Sequence, residues 1–234
     1  MKILAIDSSA QVASVAVLSD TAVLAEYSVD YRKTHSQTLL PMIDEVLRMT
    51  ETAKEDIDAI AVAAGPGSFT GLRIGVSALK GLAWAADRPC VGVSTLNAMA
   101  RNLAHLDGAL LVCAMDARRN QVYNALFEAK RGTLERLTSD RAVGLDELAE
   151  ELAGDAREKV LLGDGAALAY GYLTERGVPC TLAPAALRYQ DAVGVALAAE
   201  TMEPVPAQAL GIQYLRVSQA ERERNARLRR EAEQ

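Results

Sequence analysis

The segment Gly65-Pro66-Gly67-Ser68-Phe69-Thr70-Gly71-Leu72-Arg73-Ile74-Gly75 constrains this chain more than any other. Residues 57–64 ahead of it form an apolar run of buried-strand length, and residues 76–86 after it carry a helical pattern. The glycines therefore mark a strand-to-helix turn. Gly65 and Gly67 tolerate positive φ, Pro66 stiffens the turn, and Ser68 or Thr70 can cap the helix by accepting a backbone N–H. Gly71 and Gly75 then share a helix face that carries no side chains. Each mid-helix glycine costs about 1 kcal/mol relative to alanine. Two on one face imply a close approach by the chain's own sheet, by a partner helix, or by a phosphate at the helix start. Counting excludes two glycine loops. A P-loop anchored at Gly65 needs glycine where Thr70 stands, and one anchored at Gly67 needs it where Leu72 stands. The dinucleotide fingerprint Gly-x-Gly-x-x-Gly also fails at Thr70.

Around this segment the chain alternates short strands and helices. Residues 2–6, 12–18 and 21–27 read as strands of two opening hairpins, with Asp7-Ser8-Ser9-Ala10 as the first turn. Leu39, Leu40, Ile43, Val46 and Leu47 follow the helical period, and Pro41 lies among them. The helix starts near Leu40, or at Ser36 with a bend at the proline; the capping residues Thr34 and Ser36 favour the longer form. A strand at 89–93 and a helix from Ser94 follow. The second half again opens with hairpins: strands at 110–115, 121–128 and 134–138, a helix over 145–152 capped by Asp146, a strand at 159–162, and a Gly163-Asp164-Gly165 turn into a helix ending near Glu175. A strand over 178–182 and an alanine-rich helix over 191–202 complete the pattern, so the element order is duplicated.

Composition limits the function classes. Only 4% of residues are aromatic, so the core is built from Ala, Val and Leu. A formal net charge of -6 argues against a protein that grips RNA alone, because RNA binding needs a positive surface. Cys90, Cys113 and Cys180 show no Cys-x-x-Cys spacing and are expected to be reduced and mostly buried. The only histidines, His35 and His105, lack a second histidine three or four residues away, so no metal site is expected. Asp7 interrupts the first apolar run too early for a signal peptide, and no segment has membrane-spanning length; a soluble cytoplasmic protein is expected. Asp7, Ser8 and Ser9 can meet a phosphate, but read first as an ordinary Asx or Ser turn. Asp116 with Arg118 and Arg119 reads first as a solvated hairpin tip. The tail at 218–234 mixes five arginines with four glutamates and little apolar content, and reads as exposed.

The glycine segment, together with Ile6-Asp7-Ser8-Ser9, Met115-Asp116-Ala117-Arg118 and Tyr214-Leu215-Arg216, resembles the signature of the TsaB family, also called YeaZ. These are bacterial proteins of threonylcarbamoyladenosine-tRNA biosynthesis. The resemblance implies the actin/Hsp70/sugar-kinase-like (ASKHA) α/β fold, with two similar lobes, each a mixed sheet flanked by helices. The lobes would span 1–105 and 106–188, with the helix near 190–202 packing back on the first. It implies kinship with the transferase TsaD, whose His-x-x-x-His metal pair is replaced here by Thr95 and Met99. By the same resemblance Asp7, Ser8, Ser9, Asp116, Gly163 and Gly165 are candidate nucleotide or phosphate positions.

A partner surface is expected on two helices: His35, Leu39, Leu40 and Ile43 on one, and Gly71, Leu72, Gly75, Val76 and Leu79 on the other. The resemblance implies that this surface docks TsaD, that the isolated chain self-pairs through it, and that a TsaE ATPase is the third member. The chain would be non-catalytic, with no cofactor of its own, ATP or ADP at the partner junction, and tRNA reached only through the complex. A bulky residue at Gly75 is expected to abolish pairing and leave the fold intact. The enzymatic alternative is an ASKHA small-molecule kinase using ATP, with Asp7 and Asp116 as its carboxylates and Gly163 and Gly165 near the adenosine.

Overall fold

Apolar residues of alternating orientation build the first sheet. In the computed structural model, which describes residues 1–31 and 34–216, β1 (Lys2–Asp7), β2 (Ala13–Ser19) and β3 (Ala22–Val29) form an antiparallel meander. The tail at 218–234 lies outside the described residues. After α1 (His35–Met49), β4 (Ala59–Gly65) joins parallel to β1. After α2 (Phe69–Ala86), β5 (Cys90–Ser94) joins parallel to β4. The strand order is β3-β2-β1-β4-β5. Helix α3 (Thr95–Arg101) leads into the second lobe.

There β6 (Leu110–Asp116), β7 (Gln121–Lys130) and β8 (Thr133–Arg136) repeat the meander. The short β9 (Arg141–Gly144), which the sequence pattern did not suggest, shares the free edge of β7 with β8. Then come α4 (Leu145–Ala153), β10 (Lys159–Leu162), α5 (Ala166–Glu175), β11 (Thr181–Leu182), the single turn α6 (Ala185–Arg188) and α7 (Ala192–Ala199). Read from its meander edge, the second sheet runs β8-β7-β6-β10-β11, with β10 and β11 parallel to β6. It repeats the first position for position. This duplicated order is the ASKHA fold.

The two faces of each sheet are covered differently. Leu4, Ile6, Val15, Val17, Ile60 and Val62 point to one side of the first sheet, where Leu39, Ile43 and Val46 of α1 and Val76 and Leu79 of α2 pack on them. Ile3, Ala5, Ala61, Ala63, Val91 and Val93 point to the other side, onto Val195, Ala196 and Ala199 of α7. In the second lobe α4 and α5 cover one face, and Leu96, Met99 and Ala100 of α3 cover the other. The helices are therefore exchanged: α3 follows the first sheet in sequence and packs on the second, whereas α7 follows the second and packs on the first. They meet each other between the lobes, where a Cβ on Gly194 would fall on the carbonyl oxygen of Ala98.

Local details adjust the sequence reading. Helix α1 takes the longer form, with Pro41 inside it on the exposed side, and Thr34 stands at its N-cap position without a side-chain cap. Asp146 does not cap α4; Gly144 holds that place, and the Asp146 carboxylate instead accepts from Tyr172 and, at 3.0 Å, from Arg176. Ser68 does cap α2, accepting from the N–H of Gly71 at 3.3 Å.

Leu79 is wholly buried between α2 and the first sheet. Leu79→Ala removes that packing and leaves a cavity, so stability should fall by about 2–5 kcal/mol. Urea unfolding checks this: the midpoint should drop at unchanged slope.

Candidate functional site

The glycine face of α2 is turned inward. A Cβ on Gly67 would fall on the carbonyl oxygen of Ser9, one on Gly71 on the carbonyl oxygen of Ser8, and one on Gly75 on Ser8 Oγ. The approaching body is the chain's own β1–β2 turn. Ser68 N donates to Ser9 O at 2.6 Å, and Ser8 Oγ donates to Gly71 O at 2.9 Å, so turn and helix are hydrogen-bonded along the stripe. Leu72, Val76 and Leu79 are also buried, as are Leu39 and Ile43 on α1. The expectation that the glycine stripe or the Leu72, Val76, Leu79 row forms an exposed surface is therefore overturned. Of the nine residues expected there, only Leu40 is exposed; His35 is half-buried, its Nε2 2.7 Å from Ala10 O.

The same contact encloses the carboxylate of the first turn. Asp7, Ser8 and Ser9 are buried, and Asp7 Oδ1 accepts from the N–H of Ser9 at 2.8 Å and from Ser9 Oγ at 2.7 Å. Burial pushes the Asp7 carboxyl up to about 7. A carboxylate enclosed in this way does not face the cleft, so the kinase alternative loses its first catalytic position. The second lobe repeats the arrangement. Gly163, at φ +105°, and Gly165 let their turn close on the end of β6, where added Cβ atoms would meet Ala114 O and the Asp116 N–H. Both glycines are buried, with Asp164 between them on the wall of the cleft.

Between the lobes lies a cleft of about 460 Å³ lined by Ser9, Gly67, Phe69, Asp116, Tyr123, Asp164 and Arg216, among others. Its second-lobe wall carries carboxylates: the Asp116 N–H donates to Asp164 Oδ1 at 3.0 Å, and Arg118 reaches Asp116 Oδ2 at 3.3 Å. Arg118, Arg119 and Asn120 all hold positive φ in the β6–β7 turn, so this hairpin tip is conformationally defined. Arg216 donates to Ala117 O from the opposite rim. Phe69 stacks on Tyr214, with centroids 4.7 Å apart and planes 11° from parallel, and Arg73 Nε donates to the Tyr214 hydroxyl at 3.0 Å. The signature residues of positions 69–73 and 214–216 thus meet at one rim, a juxtaposition that sequence separation concealed.

Reactive chemistry is sparse. Cys113 is buried, donates to Leu96 O at 3.4 Å, and burial pushes its thiol well above the ordinary range, so it is not a nucleophile. Thr95 and Met99 are wholly buried. Among the described residues no group of three or more His, Cys, Asp or Glu side chains is disposed to hold a metal, and no helix is long and apolar enough to cross a membrane.

What α2 does present outward is a different set: Arg73, Ser77, Gly81 and Trp84. Trp84 is 83% exposed, and on the neighbouring α1 Leu40 is 51% exposed and Met49 64%. Leu40 and Trp84 are thus candidate contact residues on neighbouring helices, whereas Met49, nine residues from Leu40, leaves α1 on the opposite side.

The duplicated lobes, exchanged helices and glycine-sealed turns define an ASKHA-fold protein of the TsaB/TsaD type. A family model described as TsaD, tRNA N6-adenosine threonylcarbamoyltransferase, matches residues 23–199. The tRNA threonylcarbamoyladenosine biosynthesis protein TsaB of Bacillus subtilis (strain 168) is 41% identical over 168 residues, 72% of this chain and 73% of the relative. TsaB of Escherichia coli (strain K12) is 43% identical over 129 residues, 55% of each chain. The solved structure of YeaZ from Pseudomonas aeruginosa superimposes with a TM-score of 0.77 at 29% identity, over 92% of this chain and 99% of that one. The chain belongs to the TsaB (YeaZ) family of tRNA threonylcarbamoyladenosine biosynthesis proteins.

The inward glycines also correct the expected effect of a bulky residue at position 75. Gly75→Val drives side-chain atoms into Ser8 and the sheet, at about 1–3 kcal/mol for overpacking, so the fold itself weakens. The melting temperature should drop by about 2–4 °C per kcal/mol lost, read by differential scanning calorimetry of the isolated chain.

Proposed function

We propose that this chain is a non-catalytic subunit that pairs with a TsaD-type transferase. In that role it supports transfer of a threonylcarbamoyl group to the adenosine beside the tRNA anticodon. The observation that carries the reading is the pairing of large exposed apolar side chains on neighbouring helices, Leu40 of α1 and Trp84 of α2, with a cleft whose first-lobe turn is packed against the chain's own helix. Such a molecule is better equipped to hold another protein than to activate a phosphate. Buried tryptophans dominate protein contacts energetically, and Trp84 stands free to become one. The same face serves self-pairing when the chain is alone. A TsaE-type ATPase completes the assembly, with ATP or ADP at the subunit junction. The tRNA is engaged through the complex, in keeping with this chain's net charge of -6.

Reconstitution tests this reading: the purified chain, a TsaD-type transferase, a TsaE-type ATPase, the threonylcarbamoyl adenylate donor and unmodified tRNA. Omitting the chain should abolish modification. Leu40→Asp with Trp84→Ala should weaken pairing at least about tenfold by titration, while changing the stability of the isolated chain by less than about 0.5 kcal/mol per site. Undiminished modification without the chain would overturn the proposal.

A further inference from the structure

Behind the first sheet lies a group of carboxylates that the docking reading does not use. Asp7 ends β1 on the side covered by α7, directly across the β1–β2 ladder from Ser14. The Ser14 hydroxyl is a junction: it accepts from the N–H of Ala192 at 3.0 Å and from Ser28 Oγ at 2.9 Å, and it donates to Glu26 Oε1 at 3.2 Å. One residue before Ala192, Asp191 caps α7, accepting from the N–H of Gly194 at 2.7 Å. Glu26 of β3 therefore meets the Ser14 hydroxyl directly, while Asp7 of β1 stands across the ladder from Ser14 and Asp191, the cap of α7, is one residue from the N–H that binds that hydroxyl. From β2 they are faced by Ser14, and from the end of α3 by Asn102, which binds Tyr189 O at 2.9 Å. Among the described residues none of the three carboxylates has an ion-pair partner.

Two polar side chains here are buried and unsatisfied. Asp7 Oδ2 has no hydrogen-bond partner, and neither does either amide atom of Gln190, the residue before Asp191; Asp7 is wholly buried and Gln190 is 1% exposed. A buried charge without a partner is costly enough that such a group takes up a proton instead. A proton on Oδ2 neutralises the carboxyl and turns that oxygen into a donor.

We propose that the seam between β1 and α7 is a proton-binding site, in which the buried Asp7 carboxyl holds one proton in the folded protein and its loss loosens α7 from the first sheet. Because α7 is the element by which the second lobe's chain returns to the first, the proton fastens the lobes together. This inference is independent of the docking reading.

The direction of the pH dependence follows. Burial is the main cause that raises both carboxyls, Asp7 to about 7 with the charge of Asp191 adding to it, and Asp191 to about 6 with the charge of Glu26 adding to it. The folded state therefore binds more protons than the unfolded chain between the ordinary carboxylate value and these raised ones. Stability is fully present below pH about 4 and is lost as pH rises to about 7. One such proton raises the unfolding constant by up to about tenfold per pH unit in that window.

The test uses the full chain. Carbon-13 NMR of the aspartate carboxyls should show one resonance titrating near neutrality, and it should vanish in Asp7→Asn. Asparagine keeps the acceptor for Ser9 and places a donor where the proton sits. The variant should therefore lose the part of the stability slope that lies between pH 6 and 8 and withstand more urea than the wild type at pH 8. Amide exchange of residues 192–199, corrected for its intrinsic pH dependence, should accelerate above neutrality in the wild type alone. If every aspartate titrates in the ordinary range, the proposal is overturned, and that reading needs no folded variant. A folded Asp7→Asn that keeps the wild-type slope overturns it equally.

Discussion

The architecture depends on the contact between α3 and α7. Each helix covers the sheet that its own lobe did not make, and the two touch where Gly194 admits the backbone of Ala98. Without Gly194 the helices would stand further apart, and neither could lie flat on its sheet. The alanine-rich sequence of α7 suits this place: Ala192, Val195, Ala196, Ala198 and Ala199 are buried, between a sheet on one side and a helix on the other. A helix apolar on every side belongs in an interior.

The second recurring device is backbone-on-backbone closure at the sheet ends. In each lobe a glycine turn that follows a parallel strand lies against the tip of the first hairpin: Gly67 and Gly71 against Ser8 and Ser9, Gly163 and Gly165 against Ala114 to Asp116. In the first lobe this leaves no exposed carboxylate at the turn. In the second lobe it aligns Asp116 and Asp164 along the cleft wall. The duplicated frame therefore yields two unlike halves of one cleft, one sealed and one acidic.

Much of this was legible in the residues. Strand and helix identities followed from period-two and period-3.6 patterns, the cap of α2 was narrowed to Ser68 or Thr70, and the duplicated order could be counted. The failures share a cause. Periodicity shows that Gly71 and Gly75 share a face, but not what lies against it; the deciding neighbour, Ser8, is 63 residues away in sequence. The period of Leu72, Val76 and Leu79 marks an apolar stripe, and an apolar stripe on a single helix belongs first to its own core. Reading it as an outer surface reversed inside and outside, while the true outer face carried the less conspicuous Arg73, Ser77 and Trp84. Strand β9 and the turn α6 are only four residues each and too short to show a period. The packing of the start of α7 on Ser14, across the ladder from Asp7, is purely tertiary, and nothing local to either segment announces it.

Trp84 has a consequence of a practical kind. It is the only tryptophan in the chain, and it stands in water on the outer side of α2. Its emission is therefore a native optical label for that surface: unfolding changes its surroundings little, whereas a molecule settling over the helix moves the indole from an aqueous to an apolar medium. The chain carries its own reporter of occupancy, with no dye attached.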